Sequence, residues 1–252
     1  MKLVIVFIIL LLILNCSGNK PKADWSVEEY YRYAKDQFED EDYYNSVNSF
    51  TVIVLRYPGS IYADSAQYYL ATSHFNMDEF IIAAEEYKKL INDMSHSKLI
   101  SLAQLMLAES YYRMSPRSEL DQEYTYKAIK EYQTYLEDYP THEKREEAEK
   151  RIFGLRERLA QKHWQNAELY RKMRKYKSSI IYYDIILNSY YDSDFAEYAQ
   201  YGKAMAYLEM EDLQKAKEEF LIFKDKFPGS QIAGEVEEKL VEIKEKETGD
   251  SD

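Results

Sequence analysis

Apolar residues run unbroken from Leu3 to Leu14, and no later stretch matches that run. Twelve apolar residues in a helix span roughly 18 Å, well short of a ~30 Å hydrocarbon core, so the run reads as the apolar region of a secretory signal, with Lys2 as its positive start. Farther along, amphipathic runs stop at three similar phrases: Tyr57-Pro58-Gly59-Ser60, Tyr139-Pro140-Thr141 and Phe227-Pro228-Gly229-Ser230. Proline cannot continue a helix and pushes the residue before it out of the helical region, so each phrase marks a helix end.

Twelve residues before each of these prolines stands a small residue, Ser46, Ala128 or Ala216, and four further on an aromatic, Phe50, Tyr132 or Phe220. Ala83 with Tyr87 and Ser179 with Tyr183 show the same spacing without the proline. Another set of alanines precedes them: Ala34, Ala71, Ala108, Ala167 and Ala204. Ala34 to Ala71, Ala71 to Ala108 and Ala167 to Ala204 are each 37 residues apart. In the third unit an eight-residue insertion containing Ser115, Pro116 and Arg117 widens the turn between its helices, and the charged stretch 141–162 lengthens the first helix of the fourth.

This order of small, aromatic and proline positions resembles the tetratricopeptide repeat. Small residues let two antiparallel helices approach closely, and stacked neighbours complete a core that no single pair can bury. The expected fold is all-α, a right-handed solenoid of about five tetratricopeptide-type helix pairs over residues 25–243, with a charged tail over 244–252. Composition agrees, since only seven Gly and five Pro interrupt a chain that is 46% apolar.

The signal run ends at Ile13-Leu14-Asn15-Cys16-Ser17, which resembles a bacterial lipobox. Residues 1–15 are then a cleaved signal peptide, Cys16 the lipidated first residue, and 16–24 a tether. Cys16 is the single cysteine, which excludes an internal disulfide and a thiolate metal cluster. The third unit, Leu120-Asp121-Gln122-Glu123-Tyr124-Thr125-Tyr126-Lys127-Ala128-Ile129-Lys130-Glu131-Tyr132 running into Tyr139-Pro140, resembles the BamD family, the tetratricopeptide lipoprotein of the outer-membrane β-barrel assembly machinery. The resemblance implies a non-catalytic protein anchored on the periplasmic face of the outer membrane. Its implied partners are the periplasmic domains of the barrel-forming assembly subunit, accessory lipoproteins and unfolded outer-membrane proteins. A related alternative is a periplasmic adaptor of the Tol or cell-division system, which would be expected to carry a coiled-coil segment.

In tetratricopeptide proteins the residues three before and four after the first-helix alanine tend to line the concave face. Here those positions hold Tyr31 and Phe38, Tyr68 and Phe75, Leu105 and Tyr112, a candidate groove for an extended peptide. The fourth and fifth units place Trp164, Arg171, Tyr201 and Leu208 there. A groove reading expects Tyr31 and Tyr68 to be dispensable for stability; a core reading expects the reverse. A second candidate surface is the basic run Arg171, Lys172, Arg174, Lys175 and Lys177, a docking patch for an acidic partner in a chain of net charge −12. That acidity disfavours nucleic acid. The four histidines have no metal-ligand spacing, no phosphate-binding or nucleophile motif occurs, and adjacent acids such as Glu85 and Glu86 or Glu146 and Glu147 read as solvated faces. No cofactor or metal is expected.

Overall fold

In a computed structural model, residues 24–249 are described. The expected signal peptide, Cys16, the expected tether as far as residue 23 and residues 250–252 lie outside them. The described residues form eleven helices and no strand. These are α1 (Val27–Glu39), α2 (Tyr43–Arg56), α3 (Ala63–Asn76), α4 (Phe80–Asp93), α5 (Ile100–Met114), α6 (Glu123–Asp138), α7 (Arg145–Lys172), α8 (Tyr176–Ser189), α9 (Phe195–Glu209), α10 (Leu213–Lys226) and α11 (Ala233–Gly249). Five helix pairs, α1/α2 through α9/α10, match the five expected repeats, and α11 follows them.

Local chemistry explains the boundaries. A capping box opens α1: Ser26 Oγ accepts from the Glu29 amide at 3.3 Å, and the Ser26 amide donates to Glu29 Oε2 at 2.7 Å. Asp42 and Asp212 cap α2 and α10 through the amides of Asn45 and Lys215. Four of the five turns within pairs share one construction that the sequence did not advertise. Glu41, Asp78, Arg174 and Glu211 take φ near +60° without being glycine. The next amide in each returns to the carbonyl five residues back, as in Asp42 to Gln37 at 2.9 Å and Asp212 to Tyr207 at 3.0 Å.

The third turn differs because the insertion replaces it, and its carbonyls are held by cations from α7. Arg158 Nη1 donates to the Ser115 and Pro116 carbonyls at 3.0 and 3.1 Å, and Lys162 Nζ donates to those of Ser118 and Leu120 at 3.2 and 2.8 Å. Gln122 Nε2 adds bonds to the Arg117 and Leu120 carbonyls. The widened turn is therefore a built loop, and α7, at 28 residues, is long enough to supply its clamps.

The repeat register is visible in burial. All five first-helix alanines, the five small residues Ser46, Ala83, Ala128, Ser179 and Ala216, and the five aromatics Phe50, Tyr87, Tyr132, Tyr183 and Phe220 have no solvent exposure. The chain divides into two compact units, residues up to Ala103 and residues from Gln104, the division falling in the first turn of α5. In the first, Tyr30, Ala34, Phe50, Ile53, Ala66 and Leu70 form a core. In the second, one cluster centres on Tyr183 and Ile186, and another on Phe220 and Phe223 beneath Val236 and Ile243 of α11. The expected charged tail is, over 244–249, the continuation of α11, held by a Lys217–Glu247 pair at 2.8 Å.

Ala71→Leu should lower stability by about 1–3 kcal/mol, because added carbons have no space at a fully buried helix crossing. Glu85→Gln, which loses only an exposed pair with Lys88, should stay within about 0.5 kcal/mol. Denaturant titrations of both variants check the register; equal midpoints would refute it.

Candidate functional site

Two recurring polar devices hold the pairs in place. In repeats two, three and five a buried glutamine stands four residues before the first-helix alanine, and a glutamate three after the second small residue. Gln67 Nε2 donates to the Glu86 carbonyl at 2.9 Å and to its carboxylate at 2.8 Å. Gln104 bonds Glu131, and Gln200 bonds Glu219, in the same two-pronged way. Reading Glu86 as one of a solvated pair missed this clamp, although the 37-residue spacing of Gln67 and Gln104 carried the signal.

The second device joins the core aromatic to the residue after the first-helix alanine. Tyr132 donates to Glu109 at 2.6 Å, Tyr183 donates to Glu168, and Tyr87 shares a bond with Thr72 at 2.9 Å. Burial, and then the neighbouring glutamate, push the Tyr132 and Tyr183 phenols well above their ordinary value, so they remain protonated donors.

Repeat four places His163 where repeats two, three and five place glutamine. Its ring stacks on Tyr190 at 5.7 Å, and Nδ1 is buried without a hydrogen-bond partner. Burial, and then Lys162, lower its pKa below the ordinary 6.5. The unfolded chain therefore binds a proton first on acidification, and stability falls as pH drops through 6.5 toward the lower folded value. His163→Gln should remove that part of the acid loss between pH 7 and 5. Urea midpoints across that window that decline equally in parent and variant would contradict it.

The six candidate groove residues are all half-buried, and most of their aromatic rings pack against other rings. Tyr31 stacks on Tyr62 at 4.8 Å and meets Phe50 edge-on at 6.0 Å. Phe38 meets Tyr43 and Tyr69, Tyr68 meets Tyr69 and Tyr87, and Phe75 meets Phe80. In the second unit Arg151 lies 4.3 Å over the Tyr112 ring, and Leu105 is half-buried. Tyr31 and Tyr68 take part in ring packing within their unit, so replacing them is expected to cost stability. The reason is geometric: a first helix crosses its own second helix and the next first helix, so a residue one turn from the crossing alanine touches both.

The basic run is divided by the fold. Arg171 pairs with Glu168 at 3.0 Å and with Glu209 at 2.6 Å. Burial opposes its charge, but these carboxylates overcome that and raise its pKa. Lys172, Arg174, Lys175 and Lys177 are exposed and have no ion pair among the described residues. The turn that carries them borders a shallow cavity of about 330 Å³ lined by Arg174, Lys175, Tyr176, Lys177, Ser178 and Met210. Leu169 and Met173 stand beside it, each about half exposed.

A family model described as outer membrane lipoprotein, YfiO, matches residues 23–212. The chain belongs to this family. YfiO is the BamD-type lipoprotein family that the sequence resembles. The YfiO match contains both the half-buried aromatic positions and the basic turn, while a tetratricopeptide repeat model matches residues 198–230, across α9 and α10.

No curated protein matches the YfiO-family chain. Among solved structures it is similar to the TPR2AB domain of yeast Sti1 in a pHSP90 complex, at 13% identity over 80% of this chain and 78% of that one, TM-score 0.43. A tetratricopeptide repeat protein from Parabacteroides merdae matches at 16% identity over 86% and 72%, TM-score 0.38. A tetratricopeptide protein of Thermus thermophilus matches at 14% identity over 86% and 98%, TM-score 0.37.

Proposed function

We propose that this outer membrane lipoprotein is a non-catalytic scaffold, anchored through acyl chains on Cys16 at the periplasmic face. It docks on the periplasmic domains of the barrel-forming assembly subunit, alongside accessory lipoproteins, and helps recognise and insert unfolded outer-membrane β-barrel proteins. Family membership supplies the setting. The single observation supporting docking is the contrast within repeat four: in a chain of net charge −12, Arg171 is withdrawn into Glu168 and Glu209, and four neighbouring cations stay exposed around one turn. Such a patch attracts an acidic surface, and the exposed Leu169 and Met173 give it apolar contact area. Half-exposed rings on first helices would offer client strands aromatic contacts.

Reversing the patch, with Lys172, Arg174, Lys175 and Lys177 all changed to Glu, should leave the fold and membrane extraction unchanged. It should lower recovery of the barrel-forming subunit at least about tenfold, as loss of a few favourable charge contacts implies. Undiminished co-purification in mild detergent would refute docking through this turn.

A further inference from the structure

At the start of the first helix pair, Trp25 and Tyr57 pack against the core that contains Tyr30, and two aliphatics near them in the chain stay exposed in a way that the scaffold reading does not use. Trp25 meets Tyr30 and Tyr33 edge-on at 5.6 and 5.4 Å, and Tyr30 reaches Tyr57, just past the end of α2, at 6.4 Å. This joins the first turn of α1 to the end of α2. Two residues before Tyr57 and four after it in the chain stand Leu55, 74% exposed, and Ile61, 86% exposed. Core packing explains neither aliphatic, and Arg56 between Leu55 and Tyr57 is also exposed without an ion pair among the described residues. The indole of Trp25 and the phenol of Tyr33 have no hydrogen-bond partner among the described residues.

We propose that this end of the first pair seats in the headgroup region of the bilayer that holds the acyl chains, with Leu55 and Ile61 entering its apolar edge. The proposal rests on lipidation at Cys16. Eight residues separate Cys16 from Trp25, a reach of roughly 26 Å when fully extended, so the patch cannot lie far from the lipid surface. Tryptophan and tyrosine, with an apolar body and a polar tip, favour the interface, and the exposed Arg56 supplies a cation for lipid phosphate. Burying both exposed aliphatics favours the same orientation. An acyl anchor alone leaves the orientation of a protein open; this patch would set it.

The test couples the mature chain through its single cysteine to a maleimide lipid in zwitterionic phosphatidylcholine vesicles, so that anchoring no longer depends on acylation in cells. Trp164→Phe leaves Trp25 as the sole tryptophan, and Trp25→Phe leaves Trp164. The proposal expects the Trp25 emission to shift blue and to be quenched by lipids brominated near the headgroup, and Trp164 to be insensitive. Leu55→Ser with Ile61→Ser should reverse both changes while the melting temperature stays that of the parent. Unquenched Trp25 in the coupled chain overturns the proposal, as does equal quenching of both tryptophans. Acyl labelling of the chain and of Cys16→Ser in cells reports separately on lipidation.

Discussion

Truncating Tyr183 to alanine is expected to lower stability by about 3–5 kcal/mol, the range for removing a fully buried aromatic ring. Its ring lies against the backbone of Gly202, where even a Cβ would come within 2.5 Å of the ring carbons. Gly202 itself has no side chain to fill the cavity. The phenol also donates to Glu168, which holds Arg171, which reaches Glu209, so truncation leaves a half-buried carboxylate with one partner fewer. Tyr183→Phe should cost only about 1.5–3 kcal/mol, that of a bond to a charged acceptor. Adding Gly202→Ala to Tyr183→Ala should recover part of the loss, since the new methyl enters the emptied space. Urea unfolding of the three variants decides the point, and a Tyr183→Ala midpoint indistinguishable from the parent would show that the ring is not the wedge between α8 and α9.

Replacing Tyr31 and Tyr68 together with serine is expected to cost about 2–4 kcal/mol, because each half-buried ring loses its apolar burial and its aromatic contacts. Burial raises both phenols' pKa values, consistent with rings that are partly withdrawn from water. The same rings retain an outward face, so peptide binding must be compared below the variant's own transition. Under that condition a client peptide from a barrel protein's final strand should bind roughly tenfold more weakly to the folded variant. Calorimetry beside a binding titration separates the two contributions: unchanged affinity would remove client recognition from these positions, and an unchanged melting temperature would contradict their packing.

The sequence by itself determined the repeat register. Close helix crossings admit only small side chains, so Ala34, Ala71, Ala108, Ala167 and Ala204 had to recur at the structural period, and each is fully buried. The loop insertion and the long α7 were legible for the same reason, as departures from a fixed spacing. The turns were not, because Glu41, Asp78, Arg174 and Glu211 adopt a left-handed backbone without the glycine that announces one. Only the tertiary structure decided which charges and rings are available to a partner. Arg171 and Lys172 are neighbours in the chain, yet one is neutralised by Glu209, 38 positions away, and the other is not. Tyr31 reads as surface until Tyr62 of the next repeat stacks on it. Periodicity specifies which face of its own helix a residue occupies, but exposure depends on what another helix brings to that face.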